Sequence, residues 1–350
     1  MKIDPDVKLD FSDVLLRPKR SELGSRSEVS LERTIKFKHS PLIWTGIPIM
    51  VANMDTTGTI EMAKVLQKYK MITCLHKHHE IDEYHRLVSS EVDKNFIAIT
   101  TGIREDDIEK LDKIMAFVDA NFICVDVANG YSAKLIETCK VIRKKYPTKI
   151  IIAGNVATRE MVEELIINGG VDIVKCGIGS GSVCTTRVQT GVGYPQLSAV
   201  MECSDSAHGV NGQIISDGGI QVPGDIGKAF GAGADFVMCG SIFAGHTECA
   251  GEIMIDKDCG NIEYKVFYGM SSSNAMNKYS GGVAKYKSAE GKCVKLKHRG
   301  PIEDTIDNIL GGLRSTMTYI GARALKDIGK CASFIRVNNQ VNNMYNKDFG

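Results

Sequence analysis

The sequence predicts a (β/α)₈ barrel, and three observations carry that prediction. Short runs rich in β-branched residues recur eight times after residue 47, separated by segments whose apolar residues follow helical spacing. The first strand-to-helix turn reads Asn53-Met54-Asp55-Thr56-Thr57-Gly58-Thr59, without the G-x-G-x-x-G with which an open doubly wound sheet grips a dinucleotide. Polar residues gather directly after the runs, where a barrel keeps its reactive groups.

In chain order, residues 1–47 carry several charges and little period and are expected to form an N-terminal arm wrapped over the body. The strand runs fall at 48–54, 71–75, 96–101, 122–127, 149–154, 172–177, 213–216 and 236–240, with helices between them such as 60–69, 106–116, 133–145, 159–168, 197–206 and 224–230. Strands alternating with helices imply parallel pairing, and eight such units fit a closed barrel. Gly231-Ala232-Gly233 precedes a strand and reads as a helix C-cap. Residues 268–300, rich in Ser, Gly and Lys with no helical stripe, read as a flap inserted after the eighth strand. Ile306, Ile309, Leu310, Leu313, Met317 and Ile320 restore helical spacing and close a single domain, leaving residues 335–350 as a mobile tail.

Composition excludes several classes. A formal net charge of +1 over 350 residues gives no reason to expect nucleic acid or an acidic membrane as partner. The start MKIDPDVKLDF lacks the apolar core of a signal peptide, and no apolar run is long enough to span a bilayer, so a cytoplasmic location is expected. Eleven cysteines without CxxC pairs fit reduced thiols better than a disulfide framework or structural zinc. His76-Lys77-His78-His79 invites a metal reading, but adjacent imidazoles diverge and no second His/Cys cluster completes a site.

The chemistry concentrates in Lys175-Cys176-Gly177-Ile178-Gly179-Ser180-Gly181-Ser182-Val183-Cys184-Thr185-Thr186-Arg187. Glycines open the backbone ahead of a thiol, and Arg187 beside Cys184 would favour the thiolate, the nucleophilic form. Thr186 is close enough in sequence to relay a proton. The alternative is a buried cysteine in an ordinary turn. Further polar residues follow the other runs: Asn53 and Asp55, Lys77, Asp126 and Asn129, Asn155, Asp217 and Ser241. Ser216-Asp217-Gly218-Gly219 and Gly240-Ser241 end the seventh and eighth runs, the loops that most often hold phosphate in this fold. Asp217 suits a ribose hydroxyl better than a phosphate. Between Lys278 and Arg299, six lysines and one arginine surround a lone carboxylate, Glu290, which suits either a solvated loop or a flap over an anionic cofactor.

The cysteine stretch and the TGVGYPQLSAV that follows resemble the active-site loop shared by IMP dehydrogenases and GMP reductases. VKLDFSDVLLRPKR, ANMDTTGT, HKHH, CVDVANGYS, AGNVAT, ISDGGI, GAGADFVMCG and FYGMSS extend the similarity along nearly the whole chain, closest to the reductase branch. One position departs: Ser180 stands where the family usually has proline, so a fixed φ is lost. The resemblance implies NADPH-dependent reductive deamination of GMP to IMP and ammonia, with Cys184 as nucleophile and Thr186 with Glu290 as proton relay. It implies nucleotide contacts at Ser182, Asp217, Gly218, Gly219, Gly240, Ser241, Gly269, Met270, Ser271, Lys287, Ser288, Ala289 and Gly291. It implies cofactor contacts at Ser25, Arg26, Lys77, Asp126, Val127, Ala128, Ile178, Gly179, Met270, Tyr286, Lys287, Ser315, Thr316, Met317 and Thr318. A homotetramer and a monovalent cation, K⁺, at Gly179, Gly181, Cys184 and Arg187 follow on the same ground. The competing readings are IMP dehydrogenase, which converts IMP with NAD to XMP, and a catalytically silent nucleotide-binding barrel. Against the dehydrogenase, the water-activating Arg-Tyr pair of that branch is replaced by Tyr286-Lys287.

Overall fold

A strand covered on both faces needs apolar residues at successive positions, and the barrel strands have them. The computed structural model describes residues 3–256, 261–286 and 288–338. Its centre is a closed ring of parallel strands, β1 (Ile49–Val51), β2 (Ile72–Leu75), β3 (Ile97–Thr101), β4 (Phe122–Asp126), β5 (Ile150–Val156), β6 (Ile173–Cys176), β7 (Gln213–Asp217) and β8 (Phe236–Cys239), with β8 pairing back onto β1. All eight coincide with the runs expected from sequence. Alternate side chains go to different cores. Ile49 and Val51 join the layer between strands and helices, whereas Met50 points inward with Ile72, Cys74, Phe122 and Phe236.

The outer layer is made by α1 (Ile60–Leu66), α2 (Ile81–Ser89), α3 (Glu105–Met115), α4 (Ala133–Lys145), α5 (Arg159–Ile167), α6 (Gln196–Gly209), α7 (Pro223–Gly231) and α8 (Glu303–Ile320). Their starts follow capping chemistry: the Thr59 hydroxyl accepts the Met62 amide at 3.1 Å at the head of α1, and Pro223 occupies the first turn of α7. Among the described residues no helix is long and apolar enough to cross a membrane.

Three segments differ from expectation. The arm does more than wrap, because Arg33–Lys36 and Ile43–Gly46 form an antiparallel hairpin that drives Trp44 into the end of the barrel where the strands begin. Trp44 is 1% exposed, its indole N–H donates to Asn95 O at 2.8 Å, and its ring meets those of Phe96, Phe122 and Phe236. The tail expected from 335 begins instead inside a strand, Phe334–Arg336, paired antiparallel with Val14–Leu16; residues 339–350 lie outside the described residues. The flap is not irregular: Met254–Asp256, Ile262–Tyr268 and Cys293–Lys297 make an antiparallel sheet, and Ser273–Ser280 is a helix capped by Ser272.

Candidate active site

β6 delivers the chain to the barrel mouth, and Gly177 lets it turn there. At Gly177 a Cβ would lie 1.9 Å from Asp217 O, so only glycine passes. The loop then folds on itself, with the Cys184 amide donating to Gly181 O at 3.0 Å, and ends in a short helix, Thr186–Thr190. The Cys184 thiol donates to Thr186 Oγ1 at 3.2 Å, and that hydroxyl donates to Glu290 Oε2 at 2.7 Å. Thiol, hydroxyl and carboxylate thus form one hydrogen-bonded row.

Glu290 reaches the row because the flap is stitched to the loop. Thr185 N–H donates to Glu290 O, Glu290 N–H to Ser271 O and Lys292 N–H to Val183 O, each at 2.9 Å, while Gly291 bridges both Cys184 and Ser272. A second attachment lies at the other end of the flap. Asp55, 2% exposed, accepts Tyr268 Oη at 2.6 Å, Tyr279 Oη at 2.7 Å and Lys278 Nζ at 3.0 Å through one oxygen. Two of the flap cations are therefore already engaged, Lys278 here and Lys295 with Asp256 at 2.9 Å.

Arg187 stands within electrostatic reach of Cys184, but its hydrogen bonds go elsewhere. Its guanidinium pairs with Asp10 of the arm at 2.8 Å and donates to Tyr194 O, so its bonds brace the loop from outside and none goes to the thiol.

A cavity of about 570 Å³ opens above the strand ends and brings many of the expected residues together. Cys184, Thr186 and Glu290 share it with Asp217, Gly269, Met270 and Ser271, and with Lys77, Asp126, Val127, Ala128, Ile178, Gly179 and Gly181. Asn155 also lines it and donates to Asp217 Oδ2 at 2.8 Å, while Asn129 only accepts the Tyr131 amide nearby. Ser182 and Gly219 line a second cavity, of about 630 Å³, on the outer side of the cysteine loop. Gly218 and Gly219, at φ +99° and +77°, carry the turn that packs on Ser180, and Ser241 Oγ donates to Ile220 O at 3.3 Å, tying the loops after β7 and β8 together. Gly240 lies beside Met54. Ser288 bonds Gln189, Ala289 precedes Glu290, and Tyr286 is 86% exposed. Lys287 lies outside the described residues.

The other residues expected to meet a cofactor do not line this cavity. Ser25 and Arg26 sit on an exposed turn, Arg26–Glu28, packed against α8, the helix that carries Ser315, Thr316, Met317 and Thr318. Met317 is buried, and the three hydroxyls donate back to carbonyls of their own helix.

The histidines hold no metal arrangement: among the described residues no group of three or more His, Cys, Asp or Glu could bind one. His76 stacks on His79 and His78 on Tyr279, each with ring centres 3.7 Å apart. Burial and neighbouring cationic groups push His76 down to about 2 and His78 to about 4, so both are neutral aromatic surfaces at physiological pH.

The family model for the IMP dehydrogenase / GMP reductase domain matches residues 8–343. The chain belongs to this family. Within the family, GMP reductase 1 of Homo sapiens is 55% identical over 346 residues, covering 98% of this chain and 99% of that protein. GMP reductase of Aeromonas hydrophila is 54% identical over 352 residues, covering 99% and 100%, and GMP reductase 2 of Mus musculus is 56% identical over 345 residues, covering 98% of each.

Sequence reasoning gave no role to Asp10 as the partner of Arg187, to the tyrosines that hold Asp55, or to Lys175. For Lys175 a signal was present: a lysine inside the β-branched run Ile173-Val174-Lys175-Cys176 is a charge in a strand buried on both faces.

Proposed function

We propose that this protein is an oxidoreductase that reductively deaminates GMP to IMP and ammonia at the expense of NADPH. The observation that carries the reading is the row Cys184 Sγ, Thr186 Oγ1, Glu290 Oε2, at 3.2 and 2.7 Å, inside a cavity that also holds Asp217 and the Gly269–Ser271 turn. Full-length relatives named GMP reductase support it.

The sulfur attacks carbon 2 of the guanine and its proton moves through Thr186 to Glu290. Protons return by the same route to the exocyclic amine, whose bond to carbon 2 breaks as ammonia leaves, so that the base is held through a carbon–sulfur bond. NADPH, when bound, supplies hydride to that carbon. The carbon–sulfur bond then breaks, the electron pair returns to sulfur, and the thiol regains a proton through Thr186. Lys77, Asp126, Val127 and Ala128 share the cavity with the thiol and fit the nicotinamide half. Ser25, Arg26, Ser315, Thr316 and Thr318 are read as contacts for the adenosine half presented to a neighbouring copy, in keeping with the homotetramer that the resemblance implies.

K⁺ remains part of the reading only at the level of donor chemistry, since carbonyls can replace its hydration shell. The Gly181 carbonyl already accepts the Cys184 amide, and Arg187 adds a positive charge to the same loop. The Gly181 carbonyl keeps a second lone pair and Arg187 is paired with Asp10, and no step depends on a cation.

The test is a paired steady-state assay. GMP with NADPH is expected to yield IMP and ammonia, and IMP with NAD to yield no sustained XMP. XMP formation at a comparable rate would establish the dehydrogenase instead, and no turnover with either pair would leave a silent binding barrel.

A further inference from the structure

β6 is buried at every position, yet its third residue is a lysine. Space for it comes from the neighbouring strand: a Cβ on Gly154 of β5 would lie 2.5 Å from Lys175 Cβ, so the lysine stem fills the room that glycine leaves. The ammonium lies at the cavity floor, 2.6 Å from Asp126 Oδ1 at the end of β4 and 3.1 Å from Asp217 Oδ2 at the end of β7. Its side chain is 4% exposed, against 32% for Asp126 and 20% for Asp217. The cation is below, and the carboxylates present oxygen to the cavity.

The surroundings sharpen this division. Asn155 Nδ2 also holds Asp217 Oδ2, and Asn53 and Lys77 line the same cavity as Asp126. Burial alone would drive Lys175 toward its neutral form, but the two carboxylates outweigh it and hold the ammonium well above the ordinary lysine value. Burial likewise opposes ionisation of Asp126, and Lys175 reverses the balance and keeps it below the usual carboxylate range. Stability alone does not call for such a cluster, since apolar replacement of buried ion pairs is often neutral or stabilising.

We propose that Lys175 is a positioning residue for both ligands at once: one ammonium fixes Asp217 as the ribose acceptor for the mononucleotide and Asp126 as the acceptor for the dinucleotide. This rests on the reading above, which places two nucleotides in one cavity. Neither half-site keeps its acceptor geometry without the lysine they share.

The experiment titrates the full chain with IMP alone and with NADPH alone, pairs that do not react, so that binding is read without turnover. Lys175→Met is expected to raise both dissociation constants by roughly tenfold or more, the scale of a lost hydrogen bond to a charged group. Asp126→Asn is expected to weaken only NADPH and Asp217→Asn only IMP. In Lys175→Met the acid limb of NADPH binding is expected at higher pH, because Asp126 has lost the cation that holds it ionised, a shift that a packing defect does not produce. Lys175→Gln, neutral but still a donor, serves if the methionine variant does not fold. A folded variant that binds either ligand within about threefold of wild type overturns the proposal, as does failure of both variants to fold, which assigns the lysine to the fold. Wild-type protein that binds neither ligand removes the functional reading itself, a result distinct from both.

Discussion

Thr186→Val replaces the middle of the proton row with a methyl of similar size. The hydroxyl lies 3.2 Å from the sulfur and 2.7 Å from Glu290, so its removal leaves thiol and carboxylate with no atom between them able to pass a proton. A positioned acid/base group contributes about 10²–10⁴ in rate, which corresponds to about 2.7–5.5 kcal/mol of barrier. The structural cost is smaller, about 1–3 kcal/mol for an acceptor that loses its donor, and Thr186 is only half-buried, so water replaces part of that bond. Rate should therefore fall far more than stability or affinity. The assay is a single turnover with enzyme in excess of GMP and saturating NADPH, quenched for ammonia. The expected result is slowing by at least about 100-fold, IMP binding within about threefold of wild type, and recovery of most of the rate in Thr186→Ser. Ammonia release within about threefold of wild type would refute the row as the proton path.

Cys184→Ser is expected to abolish turnover while IMP still binds, since a hydroxyl is a far weaker nucleophile than a thiolate; turnover above a few per cent of wild type, measured after exclusion of contaminating enzyme, contradicts covalent catalysis. Trp44→Ala should cost about 3–5 kcal/mol, which for a chain of this size lowers Tm by about 5 °C, with kcat unchanged at 25 °C because the plug sits at the end opposite the cysteine; loss of kcat in a folded variant would tie that end to catalysis. Arg26→Ala should narrow the preference for NADPH over NADH by raising KM for NADPH alone, the more so because Lys278 and Lys295 are already paired; equal effects on both cofactors would remove Arg26 from phosphate recognition.

The barrel was legible because parallel strands buried on both faces leave unbroken β-branched runs, and each of the eight lay where its run lay. Elements that depend on distant partners were not. α2 buries only Tyr84 and Leu87 among its charges, too narrow a stripe to stand out, and the flap helix Ser273–Ser280 buries only Ala275. Trp44 lies in a hairpin whose other face is polar, with Thr34 and Thr45 bonded across it, so its depth shows only once the rings of Phe122 and Phe236 are in place. The cysteine loop announced itself through residue types, whereas Glu290 joined it through resemblance. Which way Arg187 turns could not be read at all, because its partner Asp10 is 177 positions away.

The stitching of Glu290 to the cysteine loop has a consequence for how the cycle is ordered. The thiol and the Glu290 carboxylate are 106 positions apart, on pieces of chain joined at this point by backbone hydrogen bonds from Thr185 and Lys292. Any lifting of the flap would break those bonds and carry the carboxylate off with it. A molecule opened in that way would be chemically mute, its sulfur lacking the outlet that Thr186 and Glu290 offer for its proton. The bonds that hold the flap down would then also be the ones that arm the thiol, sparing it from wasteful encounters with whatever else diffuses into the mouth of the barrel.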